Sequence, residues 1–189
     1  FKEINAAEWK IKTTGSVSRI NLIDFNKDNY LDLVINHWNA GKSSSNSVLM
    51  LNEYNYLPGN EYFTDQFILN DKYRFTDVTE EIRMVQKTPV HMSYNSFITD
   101  VNNDGWTDII LNNDFDCPDY VFINKEGKEF EDRANDFFKV NSMFAMGSDA
   151  ADINNDGFMD FIELDMRPLG NQRSKTFKFE QSYTWYELE

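Results

Sequence analysis

Thiols and imidazoles are nearly absent from this sequence: 189 residues include one cysteine, Cys117, and two histidines, His37 and His91. One thiol cannot close an internal disulfide, and this set cannot supply the sulfur and nitrogen ligands of a zinc site. No apolar run approaches the roughly 20 residues that cross a bilayer as a helix, so no membrane-spanning segment is expected. Cations are scarce as well. Lys and Arg number 18 against 32 Asp and Glu, and the formal charge of -14 excludes phosphate backbones and anionic headgroups as natural partners, nucleic acid included. There is no Ser/His/Asp grouping, phosphate-binding glycine loop or nucleophile elbow, and no catalytic residue is expected. No basic and apolar leader pattern follows Phe1, so the chain reads as a mature or internal piece.

What the sequence has instead is apolar and aromatic residues, 41% and 15% of the chain, enough for a packed core. It also has a repeat. Three nine-residue segments start at Asp24, Asp100 and Asp152 and share the pattern Asp-x-Asn-x-Asp-(Gly or Asn)-aromatic-x-Asp. An apolar run follows each, at 33–36, 109–112 and 161–164, and an extended stretch precedes each, at 18–23, 94–99 and 146–151. Each segment therefore joins two predicted strands. A third strand is predicted at 47–52 and 119–124, and a fourth around Phe75-Thr76-Asp77 and Phe130-Glu131-Asp132, with Phe1-Lys2-Glu3 as a remnant of the preceding one.

Four strands per unit give the order of propeller blades, and the expected class is all-β, with four-stranded antiparallel blades in a partial ring of about three. The units fall at about 1–79, 80–134 and 135–165, with an insertion at 53–72 in the first and a tail or further unit at 166–189. Insertions on one face of a repeat protein often carry its binding function.

The alternating oxygens of the repeat have a chemistry. Calcium takes six to eight hard oxygen ligands, which alternate positions of a curled loop can aim at one centre. Positions one, three, five and nine offer side-chain oxygens and position seven a backbone carbonyl. The three predicted sites are Asp24, Asn26, Asp28, Tyr30 and Asp32; Asp100, Asn102, Asp104, Trp106 and Asp108; and Asp152, Asn154, Asp156, Phe158 and Asp160. Position six needs a sharp turn with positive φ, which Gly105 and Gly157 supply and Asn29 tolerates. The apolar residue at position two and the aromatic at seven are expected to pack under the blade. Asx-rich turns without an ion are the alternative for one copy; three matching copies favour the metal. An EF-hand is disfavoured, because its bidentate Glu at position twelve is replaced by Ile35, Leu111 and Glu163.

These residues resemble the FG-GAP/VCBS repeat proteins, and within them the cartilage-acidic-protein (ASPIC/UnbV)-like branch in its bacterial, Bacteroidetes-type members. The resemblance rests on Phe75-Thr76-Asp77-Val78-Thr79-Glu80-Glu81, on the three loops, on the run from Met146 to Gly157, and on Leu164-Asp165-Met166-Arg167-Pro168. It implies an integrin-α-like β-propeller, exported to the periplasm or cell surface, with calcium in its blade loops and no catalytic residues. The resulting expectation is a non-catalytic calcium-binding interaction module with a protein or glycan partner at the cell surface. Two other surfaces suggest other functions. Tyr54, Tyr56 and Tyr62 in the insertion offer an aromatic platform for a glycan, as in an accessory subunit of an outer-membrane uptake complex. Asp114 and Asp116, expected in a solvated acidic loop, offer carboxylates of the kind a carbohydrate-active enzyme uses.

Overall fold

The computed structural model describes residues 11, 16–38, 65–84, 93–114, 118–139, 142 and 145–165. These form ten strands and one helical turn. The first sheet has the order β1 (Ser16–Ile23), β2 (Asp32–Trp38), β3 (Gln66–Asp71) and β4 (Arg74–Asp77), each pairing antiparallel with the next. The second repeats it with β5 (Ser93–Thr99), β6 (Asp108–Asn113), β7 (Tyr120–Lys125) and β8 (Glu129–Asp132), followed by the single turn α1 (Ala134–Phe137). Among the described residues the third sheet is one hairpin, β9 (Ala145–Ala151) with β10 (Asp160–Asp165). The architecture is all-β and propeller-like: two complete antiparallel blades, with the first hairpin of a third.

The three hairpins share one irregularity as well as one loop. Each slips register once, leaving Ser18, Tyr94 and Met146 as the extra residue of a β-bulge at equivalent positions of the repeat. The nine-residue loops then begin one residue beyond the last pair, Ile23 with Asp32, Thr99 with Asp108 and Ala151 with Asp160.

One expected strand is misplaced. The partner of β2 is Gln66–Asp71, not 47–52, so the last residues assigned to the 53–72 insertion belong to the blade. Both segments carry three apolar residues and then an asparagine, Leu49-Met50-Leu51-Asn52 and Phe67-Ile68-Leu69-Asn70. What separates them is the residue ahead of the run. Asp65 precedes β3 as Asp119 precedes β7, and each does the same work. Asp65 accepts bonds from His37 N at 2.7 Å and Asn36 Nδ2 at 3.1 Å, and Asp119 accepts from Asn113 N at 2.8 Å. The segment 47–52 lies outside the described residues.

The core lies between the two complete blades. Ile23, Phe25, Val34 and Phe67 of the first unit pack with Ile82, Met84, Ile109, Leu111, Tyr120, Phe122 and Phe130 of the second. Phe25, Phe67 and Phe130 form a triangle of rings with centroids 4.9 to 5.9 Å apart. The seams between blades are polar toward the first strands. At the first seam Asn21 Nδ2 donates to Ser96 Oγ at 2.6 Å, Ser96 bonds Asn36, and Arg19 bonds Asn95. At the second, Asn95 Nδ2 donates to Ser148 Oγ at 3.1 Å and Ser148 Oγ to Asn112 Oδ1 at 2.7 Å. Ser96 and Ser148 occupy the same place in the repeat, as do Asn36 and Asn112, so one bond fastens both seams.

The β7–β8 turn docks directly on the first loop. Gly127 has φ +69°, and a Cβ there would lie 2.9 Å from Asn26 Cα and 3.0 Å from the Trp106 ring. Only glycine satisfies both the backbone and the contact. Gly127→Ala is expected to cost about 1–3 kcal/mol, the range for a strained backbone with a steric clash; urea unfolding at fixed pH measures it, and Lys128→Ala on the same turn serves as the near-neutral control.

Candidate functional site: the blade loops

The three loops have one internal hydrogen-bond pattern. In the first, Asp24 Oδ1 and Oδ2 accept the N–H groups of Asp28 and Asn29, both at 3.1 Å. The Asp28 N–H is shared with Asn26 Oδ1, also at 3.1 Å, which sets those two oxygens side by side. Asp28 Oδ1 accepts from Tyr30 N at 2.8 Å and its Oδ2 from Asn26 Nδ2 at 2.9 Å. The second and third loops repeat every one of these bonds within 2.7 to 3.1 Å, through Asp100, Asn102, Asp104 and through Asp152, Asn154, Asp156. Position six is left-handed as expected, at Asn29, Gly105 and Gly157. So is position four, at Lys27, Asn103 and Asn155 with φ near 58°, which the sequence pattern did not reveal. Two left-handed residues per loop curl the chain tightly enough for side chains at one, three and five to meet.

Position nine behaves differently from the others. Asp32 and Asp108 are fully buried, and each braces the loop against the third strand. Asp32 accepts from Phe25 N at 3.1 Å and Asn70 N at 2.8 Å; Asp108 accepts from Val101 N at 2.9 Å and Asn124 N at 2.8 Å. Asn70 and Asn124 return the brace by donating to the carbonyls of Leu31 and Thr107 at 3.0 and 3.1 Å. Burial pushes both carboxyls from 3.8 up to about 6; the N–H bonds oppose the shift, and the charges at positions five and one of the same loop add to it. Asp160 keeps the bond to its own loop, accepting from Ile153 N at 3.0 Å.

The donor set fits a hard cation. Side-chain oxygens at one, three and five are drawn together, the carboxylates at one and five press on the one at nine, and each oxygen that accepts one N–H retains a second lone pair. Among the described residues no three Asp, Glu, His or Cys side chains form a metal-holding group; what the loop bonds draw together is the set at one, three and five, two carboxylates and an asparagine amide.

Neighbouring loops touch. The Lys27 ammonium lies 3.9 Å from the Trp106 ring centre, and Asn103 Nδ2 donates to Gly157 O at 3.0 Å. Beneath them the packing expected of positions two and seven is complete only at position two of the first loop, where Phe25 is buried; Tyr30, Val101 and Trp106 are half-buried. It fails in the third loop, where Ile153 and Phe158 are 58% and 57% exposed.

The other candidates separate. Tyr54, Tyr56, Tyr62 and Asp116 lie outside the described residues. Asp114 is 4% exposed at the end of β6, which corrects its placement in a solvated acidic loop: it continues a strand whose six residues are all buried. The residues that sequence reasoning missed are Asp65, Asn70, Asp119 and Asn124. Their signal is a pattern in the third strand, Asp-x-three apolar-Asn, present at 65–70 and 119–124.

A repeated antiparallel blade with an Asx-rich loop between its first two strands defines a propeller-type repeat protein. Compared with known families, residues 100–162 match the FG-GAP-like repeat. The matched segment starts on the first residue of the second loop and ends in β10, past the third, so it spans two of the three loops and the strands between them. No curated protein sequence matches the chain.

The raised carboxyls at position nine have a pH signature. A folded pKa above the unfolded one stabilises fully below about pH 4 and is lost as pH rises through about 6. In chelator, urea stability is therefore expected to fall across that window, and Asp108→Asn is expected to flatten part of the fall while costing about 1–3 kcal/mol at pH 7, for one N–H left facing an amide.

Proposed function

We propose that the chain is a non-catalytic, calcium-binding repeat module of an exported or cell-surface protein, acting in protein or ligand interaction. The observation that carries it is the identity of the hydrogen-bond pattern in three loops far apart in sequence. Asx turns that served only to reverse the chain would have no reason to repeat the same three side-chain oxygens at one, three and five. Calcium would be held by Asp24, Asn26, Asp28 and Asp32, by Asp100, Asn102, Asp104 and Asp108, and by Asp152, Asn154, Asp156 and Asp160, with the carbonyls of Tyr30, Trp106 and Phe158. Its charge would neutralise carboxylates that otherwise repel one another.

The match to the FG-GAP-like repeat supports an interaction role. Placement in the cartilage-acidic-protein (ASPIC/UnbV)-like branch rests on the residues from Phe75 to Glu81 and from Met146 to Gly157, and the exported location follows from that placement. Among the described residues no helix is long and apolar enough to cross a membrane.

Calorimetric titration and melting with and without EDTA test the reading. Saturating calcium at 100 times its dissociation constant is expected to add about 2.7 kcal/mol per site. Asp104→Ala is expected to remove one site of three. Equal melting in calcium and EDTA, with no heat of binding, overturns the calcium assignment.

A further inference from the structure

Each loop reaches the next through its position-four residue. In the second loop that residue is Asn103, left-handed at φ 58°. The N–H that follows it, of Asp104, is held by oxygens at positions one and three, Asp100 Oδ1 at 3.1 Å and Asn102 Oδ1 at 3.0 Å. The donors of the second loop therefore fix the backbone on which Asn103 stands. Its side chain leaves that loop, and Nδ2 donates to Gly157 O in the third at 3.0 Å.

The peptide it reaches is tied to the donors of the third loop. Gly157 C=O and Phe158 N–H share one peptide plane, and that N–H donates to Asp156 Oδ1 at position five, at 2.9 Å. The Gly157 N–H is held by Asp152 Oδ2 at position one, also at 2.9 Å. Asn103 thus grips from the neighbouring blade a peptide whose N–H orients a donor of the third loop. A carbonyl that accepts a bond also makes the N–H of its own peptide a stronger donor.

The same reach recurs at the first junction. Position four there is Lys27, also at φ 58°, and its ammonium lies 3.9 Å from the Trp106 ring centre and 3.8 Å from where a Cβ on Gly105 would stand. At both junctions position four of one loop meets position six or seven of the next. Lys27 brings a charge over a ring, whereas Asn103 makes a directional bond to the backbone.

We propose, building on the calcium reading, that Asn103 is a positioning residue for the third site and links it to the second. Order in the loop at 100–108 is passed through Asn103 to the Gly157–Phe158 peptide, so that each of the two sites is tighter when the other is filled. Linkage requires the effect to be reciprocal, and its expected size is that of one hydrogen bond, about two- to tenfold in affinity.

The test is a calcium titration of the whole chain followed by NMR at the backbone amides of Gly105 and Gly157. Each is bonded to the first carboxylate of its own loop, at 2.7 and 2.9 Å, and so reports its own site. Asp104→Ala, which removes the second site, is expected to raise the calcium midpoint at Gly157 by that factor. Asn103→Gly keeps the left-handed backbone and removes the amide. It is expected to raise the midpoints at both glycines, and adding Asp104→Ala to it is expected to raise the Gly157 midpoint no further. A role confined to shaping the second loop would not give this lack of additivity. A Gly157 midpoint that Asp104→Ala leaves in place, or on which the two substitutions act additively, overturns the linkage while calcium binding stands. Glycine amides that ignore calcium in the unaltered protein overturn the calcium reading and the linkage with it. If Asp104→Ala does not fold, Asn103→Gly and Asn103→Asp, which also lacks the donor, decide by whether the Gly157 midpoint rises.

Discussion

The carboxylate at position nine of the loop is the constraint on which each complete blade depends. A loop with two left-handed residues and four polar side chains has no reason to sit on an apolar sheet, yet Asp32 and Asp108 bury a carboxylate at that junction. The cost of desolvation is offset by two N–H groups that would otherwise lack partners, one at the start of the loop and one at the end of the third strand. The loop, the second strand and the third strand are thereby locked in one register. Asn70 and Asn124 complete the lock from the other side, and Asn124 also reaches the Phe25 carbonyl of the first unit at 3.0 Å. One set of bonds therefore shapes the blade, presents the loop, and ties the first two units together.

The blades are joined by two materials with different tolerances. Toward the β3 and β7 strands the first seam is aromatic and aliphatic, with Phe25, Phe67 and Phe130 in mutual contact, and it tolerates no loss of volume without a cavity. Toward the first strands both seams are polar, each fastened by a serine of one blade bonded to an asparagine of the one before. Polar fastening specifies register, since a slip of one residue would bury unsatisfied amides. The β-bulge sits two residues before the bonded serine in the second and third hairpins, at Tyr94 and Met146, and two before Ile20, which takes the serine's place, in the first, at Ser18.

Much of the blade was legible because its signals are local. The strands on either side of each loop follow from apolar runs that flank a motif, and the left-handed turn at position six follows from glycine and asparagine chemistry. The third strand of the first unit was misplaced because strand pairing is decided at a distance. The runs ending in Asn52 and Asn70 are equivalent as apolar patterns, and the difference lies in whether an acid precedes them to receive His37 N and Asn36 Nδ2. Asp114 was misread for a similar reason: a run of Asn and Asp resembles a solvated loop until the strand that carries it is found buried on both faces.

By itself the sequence determined the repeat, the three loops with their oxygen donors, the β class and the scarcity of thiols, imidazoles and cations, since each of these is a matter of residue type and spacing. The tertiary structure alone decided which run became the third strand, which carboxylates face inward and which outward, and that Asn112 and Glu163 meet across a seam. Those outcomes depend on burial, and burial depends on what residues distant in the chain place overhead.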